Sequence, residues 1–113
     1  MKQSEIWFIN LDPTLGAEIK KTRPAVIIND NTLGRLPLKI IVPITNWKES
    51  YGAAPWMVKI EPDDQNNLNN ISAADCFQVR SISELRFVKQ IGSVKPDILE
   101  QIKEGLAKVF SII

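Results

Sequence analysis

A small β-barrel carrying one C-terminal α-helix is the fold this sequence predicts, and three observations predict it. Short runs rich in Val, Ile and aromatic residues recur between turn signals, as brief β-strands do. The stretches between those runs are long, polar and without periodicity. Only the last segment changes period, with Ile98, Ile102, Leu106 and Val109 at helical spacing. Many short strands and one helix suit a barrel, because closure leaves no open strand edge to recruit other chains.

Each element has its own signal. Ile6 to Leu11 is an apolar run closed by Asp12-Pro13 and reads as a first strand. Thr14 to Thr22, with Gly16 and mixed charges, reads as a loop. Arg23-Pro24 leads into Ala25-Val26-Ile27-Ile28, a continuous β-branched run typical of a buried strand, and Asn29-Asp30-Asn31 stops it. Lys39 to Thr45 is the next strand, with Pro43 marking an edge or a bulge near its end. Residues 46–55 form a second long loop, and Trp56 to Ile60 a strand closed by Glu61-Pro62-Asp63-Asp64. Gln65 to Asn70 is a polar loop, Ile71 to Arg80 a strand, Ser81 to Leu85 a short helical turn, and Phe87 to Val94 a last strand. Pro96 then opens the helix, where its missing N–H costs nothing, and Leu99 and Phe110 widen the apolar stripe.

A chain of 113 residues holds one core and one domain, residues 1–113. No apolar run approaches the roughly 20 residues of a membrane span, and the start lacks the form of a signal peptide, so the expected location is cytoplasmic. Cys76 has no second cysteine to pair with and is expected to be a packed core thiol. With no histidine present, a zinc site is not expected. Glu61, Asp63 and Asp64 are the one acidic group that rivals this view, and they read as a solvated turn. A net charge of +1 excludes a bulk DNA binder. Positive charge is instead local, at Lys20, Lys21 and Arg23.

Four segments in order carry a resemblance: Asp12-Pro13-Thr14-Leu15-Gly16-Ala17-Glu18, Arg23-Pro24-Ala25-Val26, Val42-Pro43-Ile44-Thr45 and Gln78-Val79-Arg80-Ser81-Ile82. Together with the terminal helix they make the chain resemble the MazF/PemK family over nearly its whole length. The resemblance implies an SH3-like barrel of the MazF/PemK/CcdB kind forming a symmetric homodimer. It implies a toxin that cleaves single-stranded RNA, chiefly mRNA, at a preferred sequence and so halts translation. It also implies an antitoxin protein partner with a disordered acidic tail, with DNA met only indirectly through that complex. Arg23 and Thr45 match the family's catalytic pair. The sequence departs at Asn29, where many members carry serine, and at Asp75 and Phe77, where some relatives place polar or basic residues involved in cleavage.

Cleaving RNA without a metal or cofactor requires a base for the 2′-hydroxyl, donors for the phosphorane and an acid for the leaving 5′-oxygen. Arg23 fits the donor role, since its planar fork matches phosphate oxygens. Thr45 offers a hydroxyl, and Glu18 is the nearby carboxylate, as base or as the group orienting Arg23. RNA contacts are expected from Lys20, Lys21, Asn29 and Trp47, the last able to stack a base. Gln78 and Arg80, alternating on one strand face, would offer an amide and a guanidinium, whereas Trp7 and Trp56 belong to the core. Two other classes compete: a gyrase-binding toxin of the same fold without nuclease activity, and an SH3-like module for proline-rich peptides. The Arg–Thr pair disfavours the first; 7% aromatic content disfavours the second.

Overall fold

The computed structural model describes residues 1–33 and 35–112. The apolar runs become β1 (Glu5–Asn10), β2 (Thr22–Ile27), β3 (Leu38–Asn46) and β4 (Met57–Ile60). After them come β5 (Ser72–Asp75), β6 (Arg80–Ser83), β7 (Phe87–Ser93) and the helix α1 (Pro96–Phe110). Every pairing is antiparallel, in the order β4-β5-β3-β2-β1-β7, with β6 added beside β3. The curled sheet ends at β4 and β7 without a closing ladder between them among the described residues.

β3 is central rather than an edge. Its first half pairs with β6 through Leu38–Ile41, and its second half with β5 through Ile44–Asn46. Pro43 is buried and falls between those two partners, so its missing N–H removes no bond from either ladder. The expected edge is thus a change of partner.

Alternation along the strands divides the core in two. Ile6, Val26, Val42, Ile44, Val58 and Ile60 face α1, whose Ile102 is fully buried among them. Ile9, Leu11, Ala25, Ile27, Ile41 and Ile82 fill the other side. Burial of Ile102 contributes about 1.5–3 kcal/mol, and Ile98, Leu99, Leu106 and Val109 pack around it. Phe110 stands outside this stripe, 58% exposed. α1 ends because Ser111 turns left-handed, φ 56°, and its N–H closes back on the last turn.

The helix sits tightly because Gly105 faces Cys76: a Cβ there would lie 2.8 Å from the sulfur. Cys76 is the expected core thiol, though in a turn rather than a strand. Its Sγ–H reaches the Ile102 carbonyl at 3.6 Å, and burial, with the neighbouring Asp75 charge, pushes its pKa up to about 12. The expected strand from Ile71 to Arg80 is broken here. The Asp75 carboxylate accepts the Phe77 N–H at 3.1 Å, closing a 3-10 turn over Cys76–Gln78 that separates β5 from β6. The next helical turn is Glu84–Arg86, later than expected, because Ser81–Ser83 pair with β3.

Candidate functional site

β1 and β3 end, and β2 and β5 begin, at the same end of the sheet. The β2–β3 ladder runs Ile27↔Ile41, Val26↔Val42, Ala25↔Pro43, and Arg23 and Thr45 each stand two residues beyond its last pair, at the same end of the sheet. Both lie on the Ala25 face and both are half-buried. On its other side Thr45 pairs with Ala73. Arg23 is steadied by its Nε, which donates to the Lys20 carbonyl at 3.2 Å. Its terminal nitrogens make no hydrogen bond among the described residues, so the fork stays available to an anion.

The loop from Asp12 to Lys21 is built to hold this arrangement. Leu11 N–H donates to the Lys21 carbonyl at 2.9 Å, closing its neck. The Asp12 carboxylate accepts Lys21 N–H at 3.1 Å and the Thr14 hydroxyl at 3.0 Å. Arg80 donates to the Leu11 carbonyl at 3.1 Å, and Arg86 donates to the carbonyls of Asn10 and Asp12. Gln78 grips the middle, its Oε1 accepting Ile19 N–H at 2.6 Å and its Nε2 donating to the Ala17 carbonyl at 3.3 Å. Ile19 packs against the second core cluster. Gly16 and Lys21 take left-handed turns, φ 57° and 71°.

The Lys21 N–H and then the Thr14 hydroxyl hold the Asp12 carboxyl below its usual pKa. The stability this contributes is present above the ordinary carboxylate pKa and is lost as pH falls through the lowered folded value. Asp12→Asn keeps an acceptor for Lys21 but cannot titrate. Its urea midpoint should vary less across the acid range than the parent's, and superimposable profiles would show that the loop does not depend on this charge.

Sequence-predicted residues are only partly brought together. Arg23, Thr45, Glu18, Lys20, Lys21, Gln78 and Arg80 converge on this end of the sheet through the register and the loop bonds. Glu18 does not orient Arg23: its Oε1 accepts Leu15 N–H at 2.6 Å, and the Lys20 carbonyl holds the guanidinium instead. Gln78 and Arg80 do not share a strand face, because Gln78 ends the 3-10 turn and Arg80 opens β6. Both hold the loop. Arg86 shares that task, and a lone arginine in a polar turn carries no signal of it in the sequence.

Asn29 lies past the far end of β2, roughly 20 Å along the strand from Arg23 at 3.3 Å per residue. Its Oδ1 accepts Ile40 N–H at 3.0 Å, and it lines an apolar groove with Leu33, Leu36, Leu38 and Ile40. Trp47 stands two residues beyond Thr45, with the Tyr51 ring packed T-shaped against it and the Lys59 ammonium 5.2 Å from its ring centre. Trp7 and Trp56 are half-buried against the two core clusters. In the acidic turn, Asp63 accepts the N–H groups of Gln65 at 2.9 Å and Asn66 at 2.7 Å, and pairs with Lys95 at 3.7 Å. Among the described residues no cluster of three or more acidic or cysteine side chains is arranged to hold a metal.

One residue gains weight from the structure. Asp75 is 5% exposed, two residues along β5 from the Ala73 that pairs with Thr45, and bonded to Gln78 Nε2 at 3.3 Å. Burial raises its pKa, against the lowering effect of the Phe77 and Gln78 bonds. It anchors the side chain that grips the loop.

Residues 2–110 match a family described as PemK-like, MazF-like toxins of type II toxin–antitoxin systems. The endoribonuclease MazF9 of Mycobacterium tuberculosis is 30% identical, over 94% of this chain and 92% of its own. The endoribonuclease PemK of Escherichia coli is 27% identical, over 98% and 83%. Among solved structures, MazF from Deinococcus radiodurans superposes with a TM-score of 0.79 at 18% identity, over 98% of this chain and 96% of that one. A mycobacterial endoribonuclease in complex with its cognate antitoxin gives 0.79 at 15% identity, over 100% and 97%. These two likenesses establish the fold. No helix among the described residues is long and apolar enough to cross a membrane.

Proposed function

The chain belongs to the PemK-like, MazF-like toxin family of type II toxin–antitoxin systems and is an endoribonuclease of that kind, and we propose that it cuts single-stranded RNA between Arg23 and Thr45. The supporting observation is that both residues stand two positions beyond the last β2–β3 pair, on the Ala25 face at one end of the sheet, with the Arg23 fork uncommitted among the described residues. In this mechanism the 2′-oxygen attacks phosphorus and passes its proton to a base. Arg23 and the Thr45 hydroxyl stabilise the charge that grows on the non-bridging oxygens. The P–O5′ bond breaks, an acid protonates the 5′-oxygen, and the products are a 2′,3′-cyclic phosphate and a 5′-hydroxyl. Glu18, exposed in the loop, is the base we assign. Lys20 and Lys21 draw the backbone in, and Trp47 borders the path of the strand beyond Thr45.

The chemistry uses side chains alone, so purified protein should cut RNA in excess chelator and leave those two kinds of end. Activity that vanishes in chelator and returns with magnesium would refute it. RNA left intact under all conditions would favour the gyrase-binding alternative.

In the cytoplasm, where we place the protein, such cleavage of mRNA stops translation. A homodimer and an antitoxin complete the reading. Leu33, Leu36, Leu38 and Ile40 leave apolar surface in water, which association covers. An antitoxin tail, acidic and disordered when free, suits the site at Lys20, Lys21 and Arg23 and folds on binding. Light scattering should give twice 12.7 kDa for the free protein, and adding the genetically adjacent acidic protein should form a complex that no longer cuts. A monomer at micromolar concentration, or a tight complex with undiminished cleavage, would contradict the corresponding half.

A further inference from the structure

On the sheet face opposite Arg23, at the same end, lies a second concavity of about 140 Å³. Its floor is apolar: Phe8, Pro24, Leu68 and Ile91, all half-buried. Its rim carries the neutral amides of Asn46, Asn69 and Asn70, whose side chains make no hydrogen bond among the described residues. Among the described residues no charged side chain lines it. Pro24 and Asn46 directly follow Arg23 and Thr45, so its wall is continuous with the backbone of the proposed cleavage site.

The cavity is preformed. Asn66 is buried, its Oδ1 accepting Asp63 N–H at 3.1 Å and Leu68 N–H at 3.0 Å, its Nδ2 donating to the Glu61 carbonyl at 2.9 Å. Asn67 donates to the Ile91 carbonyl at 2.7 Å, at a point where the β1–β7 register shifts and β7 carries an extra residue. A Cβ on Gly92 would lie 2.4 Å from the Gln65 carbonyl oxygen. The loop is therefore pressed onto β7.

We propose that this cavity is a nucleobase subsite, taking one unstacked base of an RNA strand whose scissile phosphate lies on Arg23. The proposal rests on the ribonuclease reading above. A phosphate finds no cation here, whereas a flat neutral heterocycle finds an apolar floor and amides for its edge. Proteins read single-stranded RNA by this combination, and an amide offers a donor beside an acceptor. The asparagines of the loop thus divide their labour: Asn66 and Asn67 build it, and Asn69 and Asn70, with Asn46, face the base.

The test is to sequence the RNA ends produced by the parent, by Asn46→Ala and by the double variant Asn69→Ala/Asn70→Ala. The two loop residues are exposed, so the double variant should fold, which circular dichroism checks. Discrimination at one nucleotide position near the cut should fall by roughly tenfold or more, other positions keeping theirs. A parent that cuts selectively, with variants that keep its preference at every position, overturns the subsite alone. Variants that keep the preference but lose the antitoxin overturn it in favour of a protein contact. A parent that cuts no RNA overturns both readings.

Discussion

Replacing Arg23 by alanine is expected to slow RNA cleavage by roughly a hundredfold or more, as loss of a preorganised donor to a developing oxyanion does. The fold should remain, because Arg23 is half-buried near the start of β2 and its side chain, among the described residues, bonds only the Lys20 carbonyl. Lysine is not a substitute: it carries the charge without the fork, so Arg23→Lys should recover only part of the loss. Thr45→Val removes the hydroxyl and keeps the β-branched shape, and its effect should be smaller. Single-turnover rates on a short RNA, beside the denaturation midpoint of each variant, separate chemistry from stability. Parent rates in both Arg23→Ala and Thr45→Val would move the active site elsewhere.

Gly92→Ala should have the largest effect on stability. The added methyl meets the backbone oxygens of Gln65 and Asn66 at 2.4 and 2.7 Å, and these cannot swing aside as a side chain could. Either β7 or the 65–70 loop must shift, which breaks the Ser93 N–H bond to Gln65 and the Asn67 bond to Ile91. Overpacking of this kind costs about 1–3 kcal/mol, read as a lower urea midpoint. Gly52, where a Cβ would meet nothing within 4 Å, is the control. If Gly92→Ala and Gly52→Ala unfold alike, the loop is not clamped.

What was legible in the sequence was what depends on local pattern. The period change at Pro96 placed α1, and β-branched runs placed β2 and β3, because burial and propensity act residue by residue. The break in the expected strand from Ile71 to Arg80 was not legible: it turns on one carboxylate accepting the Phe77 N–H. For the site, family motifs point to Arg23 and Thr45, and the β2–β3 ladder brings both to the same end of the sheet. The roles of Gln78, Arg80 and Arg86 depend on partners about 60 to 76 residues away, which no spacing reveals. Asn29 illustrates the converse, a motif-adjacent residue carried to the far end of its strand.

Cys76 has a practical consequence. The thiol is fully buried beneath Gly105, and a pKa near 12 leaves almost no thiolate at neutral pH. Alkylating reagents attack the thiolate and need access. Labelling must therefore wait until α1 lifts from the turn at Cys76–Gln78. As the chain's single cysteine, it is a native stopwatch: the rate of thiol modification times how often the helix detaches, with no dye or engineered probe. Timed alone and beside the antitoxin proposed above, the protein would reveal whether that partner holds the helix down.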